Sequence, residues 1–404
     1  MTASAAHDQR RYPRWLITTL LAGLNTLGPF SIDTYFPAFD AIGRDLQAGP
    51  IQMQQTLSIY LLGFALMLLF HGALSDAFGR RPVILISLIV FTLASVGCAF
   101  APSIETLVVF RFVQGLCAGA GMVVGRAIIR DLYDMVEAQK MMSHVTMIFG
   151  LAPAIAPIIG GWLYVAFGWQ AIFAFMALVS LGLLLASLRY LPESLPRDAR
   201  HAFRLVPLAR GYRAVLLSHR FVLLSLAVGL NFTAFFLYIA SAPTFVQGML
   251  GLGPTQFAWL FVPGISGIMI GAFLSGRSAG RLRPDRAVAL GYSVMAVAAL
   301  ANLLYNHFAA GPSLPWAVLP LMGYTIGMSL AMPAISLIVL DLFPRLRGMA
   351  ASLQGFVSTF LNSVVSGVLA PVLAVSAKAL AMGMVGLLGS GALCWFAYRR
   401  MNHE

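Results

Sequence analysis

The sequence predicts an all-α membrane protein with twelve transmembrane helices in two six-helix, pseudo-symmetric halves. Three observations predict it. Hydrophobic residues make up 59% of the 404 positions and charged residues only 10%, against about 25% charged in a soluble domain. The mean hydropathy is +0.85, and the apolar residues gather in runs near the roughly 20 residues that cross a bilayer. The most polar internal stretch falls after the sixth run, with six more beyond it. Backbone groups in hydrocarbon must bond internally, which favours helices, and the ten-residue alternation of barrel strands is missing.

Taken in order, the first six spans are predicted over 15–37, 52–72, 82–100, 103–129, 141–166 and 169–189. The second six are predicted over 219–246, 254–276, 287–307, 313–339, 346–370 and 376–398. Several exceed 20 residues, which implies tilt or partly exposed ends. Residues 1–189 thus form an N-terminal half, 190–218 a cytoplasmic linker and 219–404 a C-terminal half. The linker carries Pro192, Glu193, Pro196, Arg197, Asp198, Arg200, Arg204, Pro207, Arg210 and Arg213. Part of it reads either as a basic amphipathic helix on anionic lipid or as a plain solvated connector. The first span follows Arg10-Arg11 and reads as retained rather than cleaved, because it is long and lacks a small-residue cleavage site.

The net charge of +12 does not point to nucleic acid once its distribution is considered. Of 26 Lys and Arg, only Arg44 and Lys378 fall in outer segments and Arg111 falls within a span; the other 23 fall on one side. That asymmetry is the positive-inside pattern, and it places both termini in the cytoplasm. Cys98, Cys117 and Cys394 all fall within spans and read as packing residues, with no disulfide or metal spacing. No metal or other cofactor is expected.

The first element with chemistry is Asp33, in Asp33-Thr34-Tyr35-Phe36-Pro37 near the outer end of span one. A charge at the bilayer centre costs about 2.5–3.5 kcal/mol on insertion scales, so a carboxylate there marks a functional candidate. Span four holds Arg111-Phe112-Val113-Gln114-Gly115, with Gly119 four residues after Gly115 on one close-packing face. Arg111 and Gln114 are three apart and can face one cavity. Span five holds Pro153-Ala154-Ile155-Ala156-Pro157 followed by Gly160-Gly161, two prolines that bend a helix and free carbonyls. The inner turn after span two reads Gly72-Ala73-Leu74-Ser75-Asp76-Ala77-Phe78-Gly79-Arg80-Arg81-Pro82. A fainter echo, Gly276-Arg277-Ser278-Ala279-Gly280-Arg281, follows span eight without the aspartate.

That first turn resembles the loop signature of the major facilitator superfamily, with Gly72, Leu74, Asp76, Gly79, Arg80 and Arg81 filling it. Arg111, Gln114 and Gly115 resemble a second signature of the superfamily. The span-five sequence is similar to the antiporter signature, with Ala156 in place of its first glycine. With Asp33, Pro37 and the Arg126–Tyr133 segment, the chain resembles the bicyclomycin/chloramphenicol-resistance branch of drug:proton antiporters. The resemblance is densest over residues 30–175. It implies the major facilitator fold, export of small amphipathic drug-like molecules across a bacterial inner membrane, and the proton gradient as energy source. In that reading Gly72, Asp76, Gly79, Arg80 and Arg81 gate the inner side, and Pro153, Pro157, Gly160 and Gly161 form the antiporter bend. The site is expected near the midplane between the halves. A related multidrug transporter carries two acids on span one; Asp33 matches the outer, and Asn25 stands in the inner position.

For coupling, Asp33 and Arg111 are the candidates. A free aspartate titrates near 3.9, so exchange near neutrality requires about 4 kcal/mol in favour of the neutral form. Asn25, Tyr35, Tyr60, Gln114, Asn231, Phe235 and Tyr238 are the candidate substrate contacts, because such pockets join aromatic walls to a few polar groups. Asn231, Phe235 and Tyr238 share one helical spacing in span seven, which also suits plain packing. Protons, membrane lipid and a drug-like molecule are the expected partners; nucleic acid is not, and a monomer is expected. No paired acids or Ser/His set at one depth suggests an enzyme, and no Gly-x-x-x-x-Gly-Lys-Ser/Thr loop suggests ATP drive. A secondary importer or facilitator of a small metabolite on the same architecture is the alternative.

Overall fold

The computed structural model describes residues 13–278 and 281–403. Arg10, Arg11 and the Ala279-Gly280 pair invoked above lie outside the described residues. Among the described residues every regular element is helical, and twelve segments are long and apolar enough to cross a membrane. The expected all-α, twelve-span architecture is therefore observed.

Span one is α1 (Arg14–Asp33), a 3-10 turn (Phe36–Ala38) and α2 (Phe39–Asp45). The expectation ended it at Pro37. Proline instead sits among the first residues of the 3-10 turn, where its missing N–H is not needed, and the chain continues. Helix α3 (Pro50–Leu68) stops short of the expected residue 72, and a separate short helix α4 (His71–Phe78) begins beyond it. Next comes α5 (Arg80–Ala99). Span four is broken at Gly119 into α6 (Ile104–Ala118) and α7 (Ala120–Leu132); the Gly119-Ala120-Gly121 run gives the backbone latitude to break there. Helix α8 (Met135–Phe167) starts before the expected residue 141 because the Asp134 carboxylate caps it, accepting the Glu137 N–H at 2.9 Å. Helix α9 (Gln170–Tyr190) ends the first six.

The predicted linker contains a helix, α10 (Leu205–Leu216). Helix α11 (His219–Ala240) starts on a Ser218 cap and ends before the expected residue 246; Pro243 and a π-turn over Thr244–Met249 follow it. Then come α12 (Ala258–Ser278), α13 (Pro284–Phe308) and α14 (Leu319–Leu342). The last starts later than the expected residue 313 because residues 314–318 form turns around Pro315. Helix α15 (Arg347–Val364), a π-turn (Val365–Leu369) and α16 (Ala370–Leu373) make one span, and α17 (Ala377–His403) closes the fold.

Two compact units emerge, one of Met1–Gln47 with Leu62–Leu205, the other of Ala48–Leu61 with Val206–Glu404. In the first, α1 packs on α7 and α8, and α5 packs on α6 and α9. In the second, α14 packs on α12 and α13, and α11 packs on α15 and α17. The N-terminal part of α3 belongs to the second unit through side-chain bonds to backbone. The Gln54 amide donates to the Ala240 carbonyl at 3.0 Å, and Ser58 and Ser363 each donate to the other's carbonyl at 2.8 Å.

Candidate functional site

In the first unit, α1 ends on Asp33, whose carboxylate residue is only 4% exposed. The next residues run through the 3-10 turn, and Thr34 turns its hydroxyl back to the Phe30 carbonyl at 2.6 Å. This helix break lies against α8. A Cβ at Gly160 would overlap the Thr34 carbonyl oxygen, so the backbones meet there with no room for a side chain. Pro157 and Ala156, on the preceding turn, are buried, as is Gly161. Pro153 lies one turn further back and is half-buried. The proline- and glycine-bearing stretch of α8 and the carboxylate-bearing break of span one are thus in direct backbone contact.

Arg111 is fully buried beside this region. Its guanidinium lies over the Tyr35 ring, 4.6 Å from the centroid. One Nη donates to the Ser31 carbonyl (3.2 Å), the Ser31 hydroxyl (3.1 Å) and the Gln114 Oε1 (3.0 Å). Gln114 passes the network on through its amide N–H to the Ser95 hydroxyl at 2.8 Å. Tyr35 is held by Phe36, Phe39 and Phe173, with ring centroids 5.6, 5.6 and 6.2 Å away. A cation in apolar surroundings needs such acceptors and a ring face, since its desolvation is otherwise uncompensated. Three of the expected site residues, Tyr35, Arg111 and Gln114, are therefore one cluster. Asp33 lies two residues beyond Ser31, which supplies two of the acceptors for the Arg111 guanidinium. Asn25 lies two turns below Asp33 on α1 and is half-buried.

The turn joining α4 to α5 builds a second cluster around Arg80, which is 8% exposed. Its guanidinium pairs with Asp76, donates to the Ser75 hydroxyl at 2.6 Å, and reaches Asp131 on α7 at 3.1 Å. Its backbone N–H, at the start of α5, donates to Glu193 at 3.0 Å. Glu193 also accepts the Leu195 N–H at 3.0 Å and pairs with Arg200 at 3.3 Å. Ser194 donates to Asp131 at 2.9 Å, and the His201 N–H donates to the Asp76 carbonyl at 3.2 Å. Gly79 sits at φ +102°, a conformation that favours glycine, and a Cβ there would strike the Glu193–Arg200 pair. Arg81 donates to the Leu188 carbonyl at 2.7 Å. Gly72 supplies the carbonyl that Ser75 bonds at 2.9 Å. The expectation placed Asp76, Arg80 and Arg81 here. It did not foresee that residues 193–201, just past span six, would tie down the turn; the acid following Pro192 was the available signal. Beside this turn, His71 is buried and its Nδ1 has no hydrogen-bond partner; burial lowers its pKa to about 4.

The second unit holds the remaining candidates. Asn231, Phe235 and Tyr238 do share helical spacing on α11, and all are buried. Their partners differ. The Asn231 amide donates to the Tyr292 hydroxyl at 2.9 Å, which donates on to the Gly391 carbonyl at 3.0 Å. The Tyr324 hydroxyl caps the Asn231 carbonyl at 2.9 Å. The Phe235 ring tip lies against Gly264 on α12. Tyr238 accepts the Asn302 amide at 2.7 Å and meets the Phe245 ring edge-on at 5.3 Å. These side chains fill the interior of their unit, joining α11 to α12, α13 and α17. Tyr60, on the part of α3 assigned to this unit, is fully buried.

The comparisons with known proteins agree with this architecture. A bicyclomycin resistance protein homolog of Haemophilus influenzae is 29% identical over 350 residues, covering 86% of this chain and 87% of the relative. Multidrug resistance protein D of Escherichia coli is 29% identical over 395 residues, covering 95% and 96%. The crystal structure of a bacterial homolog of the human lysosomal transporter Spinster superposes with a TM-score of 0.70 over 96% of each chain at 18% identity, which speaks to the fold. The family profile described as Major Facilitator Superfamily matches residues 21–371. The inner-turn and span-four signatures thus pointed to the right family and to the branch of these relatives, and the chain belongs to the Major Facilitator Superfamily.

Proposed function

We propose that this transporter exports small amphipathic, drug-like molecules in exchange for protons across a bacterial inner membrane, with both termini cytoplasmic. The observation that carries the reading is the placement of Asp33. It is the buried final residue of α1, next to the break that Gly160 of the antiporter bend packs against. A carboxylate so enclosed is costly to keep ionised, and a proton or a bound substrate removes that cost in different ways. Each ligand then needs only a differential affinity for two states of the protein to drive exchange. The names of the Haemophilus influenzae and Escherichia coli relatives support drug-like substrates.

In this reading Asp33 carries the proton, and Arg111, fixed by Tyr35, Ser31 and Gln114, shapes the surroundings in which it does so. Asn25, Tyr35, Tyr60 and Gln114 contribute polar and aromatic contacts. Asn231, Phe235 and Tyr238 support the helix that presents the second unit's share. The Arg80 cluster controls the inner turn.

Everted membrane vesicles from an efflux-deficient bacterium expressing the chain test the proposal. Acidifying the lumen is expected to drive drug accumulation, a protonophore to abolish it, and Asp33→Asn to abolish it with expression unchanged. Undiminished, pH-dependent accumulation in Asp33→Asn overturns the coupling role. Gradient-driven movement of a metabolite in the opposite direction, with no drug moved, favours the importer.

A further inference from the structure

Helix α10 (Leu205–Leu216) is the one element of the linker that the transport cycle above does not use. One side of it is covered. Leu208 and Val215 are buried, and a Cβ on Gly211 would meet the sulfur of Met349 on α15. At 3.6 residues per turn, Val206, Arg210, Arg213 and Leu217 fall within about 60° of one another on the opposite side. That side is bare: Val206 is 59% and Leu217 66% exposed, and both arginines are exposed. Leu205 and Leu216 flank it and are also exposed. No aspartate or glutamate occurs between Asp198 and Asp285, and the ion pairs among the described residues include neither arginine.

Large aliphatic side chains beside uncompensated guanidinium groups do not suit bulk water. They suit a surface whose outer layer is anionic phosphate and whose next layer is hydrocarbon. Guanidinium matches phosphate oxygens in a bidentate fork, and the aliphatic stems and neighbours cover acyl chain. We propose that the outer face of α10 is a binding surface for anionic phospholipid, with Arg210 and Arg213 on the headgroup phosphate and Val206 and Leu217 in the acyl boundary.

Full-length protein in an uncharged detergent, offered equal phosphatidylglycerol and phosphatidylcholine, tests this by native mass spectrometry of retained lipid. Phosphatidylglycerol is expected to be retained about tenfold over phosphatidylcholine. Arg210→Gln/Arg213→Gln is expected to erase the preference, and Val206→Ser/Leu217→Ser to lower retention of both lipids. Arg399→Gln/Arg400→Gln, at the far end of α17, is expected to leave the preference intact. Gel-filtration profiles matching the parent certify each variant as folded, and the conservative Arg210→Lys/Arg213→Lys retains part of the preference. Equal retention of the two lipids by the parent, or an undiminished preference in Arg210→Gln/Arg213→Gln, overturns the proposal. So does equal loss in the Arg399→Gln/Arg400→Gln control, or full displacement of lipid by inorganic phosphate, which makes the face a small-anion site.

Discussion

Gly160 on α8 and Thr34, the residue after Asp33, meet backbone to backbone, with the Thr34 carbonyl oxygen standing where a side chain at 160 would begin. The contact brings the Pro153–Gly161 stretch of α8 onto the discontinuity of span one. It also makes a sharp test. Gly160→Ala is expected to force the backbones apart and cost about 1–3 kcal/mol, the usual range for overpacking. Gly150, on the same helix, has nothing within 4 Å of its would-be Cβ, so Gly150→Ala is expected to be neutral or stabilising by about 0.5–1 kcal/mol. Thermal unfolding of the two purified variants in detergent checks the contrast; similar melting temperatures would remove the contact from the account.

Arg111 and Gln114 share a hydrogen bond at 3.0 Å inside a sealed cluster. Lysine at 111 keeps the charge but lacks the planar fork and the ring-stacking face. Arg111→Lys is expected to lose about 2 kcal/mol of stability and most transport. A double-mutant cycle with Gln114→Ala is expected to show about 1 kcal/mol of coupling. Strict additivity in that cycle would mean that the two side chains act independently.

The Glu193 carboxylate holds three groups at once: the N–H of Arg80, the N–H of Leu195 and the Arg200 guanidinium. Glu193→Gln keeps the shape and weakens all three, since bonds to a charged acceptor are roughly twice as strong as neutral ones. The expected outcome is faster trypsin cleavage after Arg197 and Arg200, read by mass spectrometry, with cleavage after Arg399 unchanged. Unaltered cleavage at all three sites would show that other contacts hold the 193–201 segment.

His71 gives the protein an acid limb. Burial lowers its pKa to about 4 from the ordinary 6.5 of a histidine. Between those values the unfolded chain binds a proton that the folded chain does not, so stability rises with pH across that window. The contribution is fully present above pH 6.5 and is lost as pH falls through 4, about 3 kcal/mol in all. His71→Gln is expected to flatten melting temperature against pH between 4.5 and 6.5. An identical slope in that variant would assign the acid limb to other groups.

Much of the fold could be anticipated from composition because hydrocarbon imposes one rule on every residue of a span. A run of about 20 apolar residues has to be a helix whatever it packs against. The errors came where that rule stops acting. Pro37 did not end span one, because a 3-10 turn accommodates a proline in its first residues. Gly119 broke span four, which hydropathy cannot register. The span-seven stripe of Asn231, Phe235 and Tyr238 had the right spacing, yet its partners lie on α12, α13 and α17. Spacing locates a face of a helix and is silent about what that face meets.

At the candidate site the division is the same. The residue types of Asp33, Arg111 and the Gly72–Arg81 turn stand in the linear chain, and so does the charge asymmetry between the connecting segments, because desolvation and the positive-inside bias act on each residue largely alone. Only the folded molecule decides that Arg111 turns to Ser31 and Gln114. Only there does Glu193 reach Arg80 across more than a hundred residues, and only there does Gly160 meet Thr34. Such partnerships depend on distances of a few ångströms between helices remote in sequence, and local composition does not encode those distances.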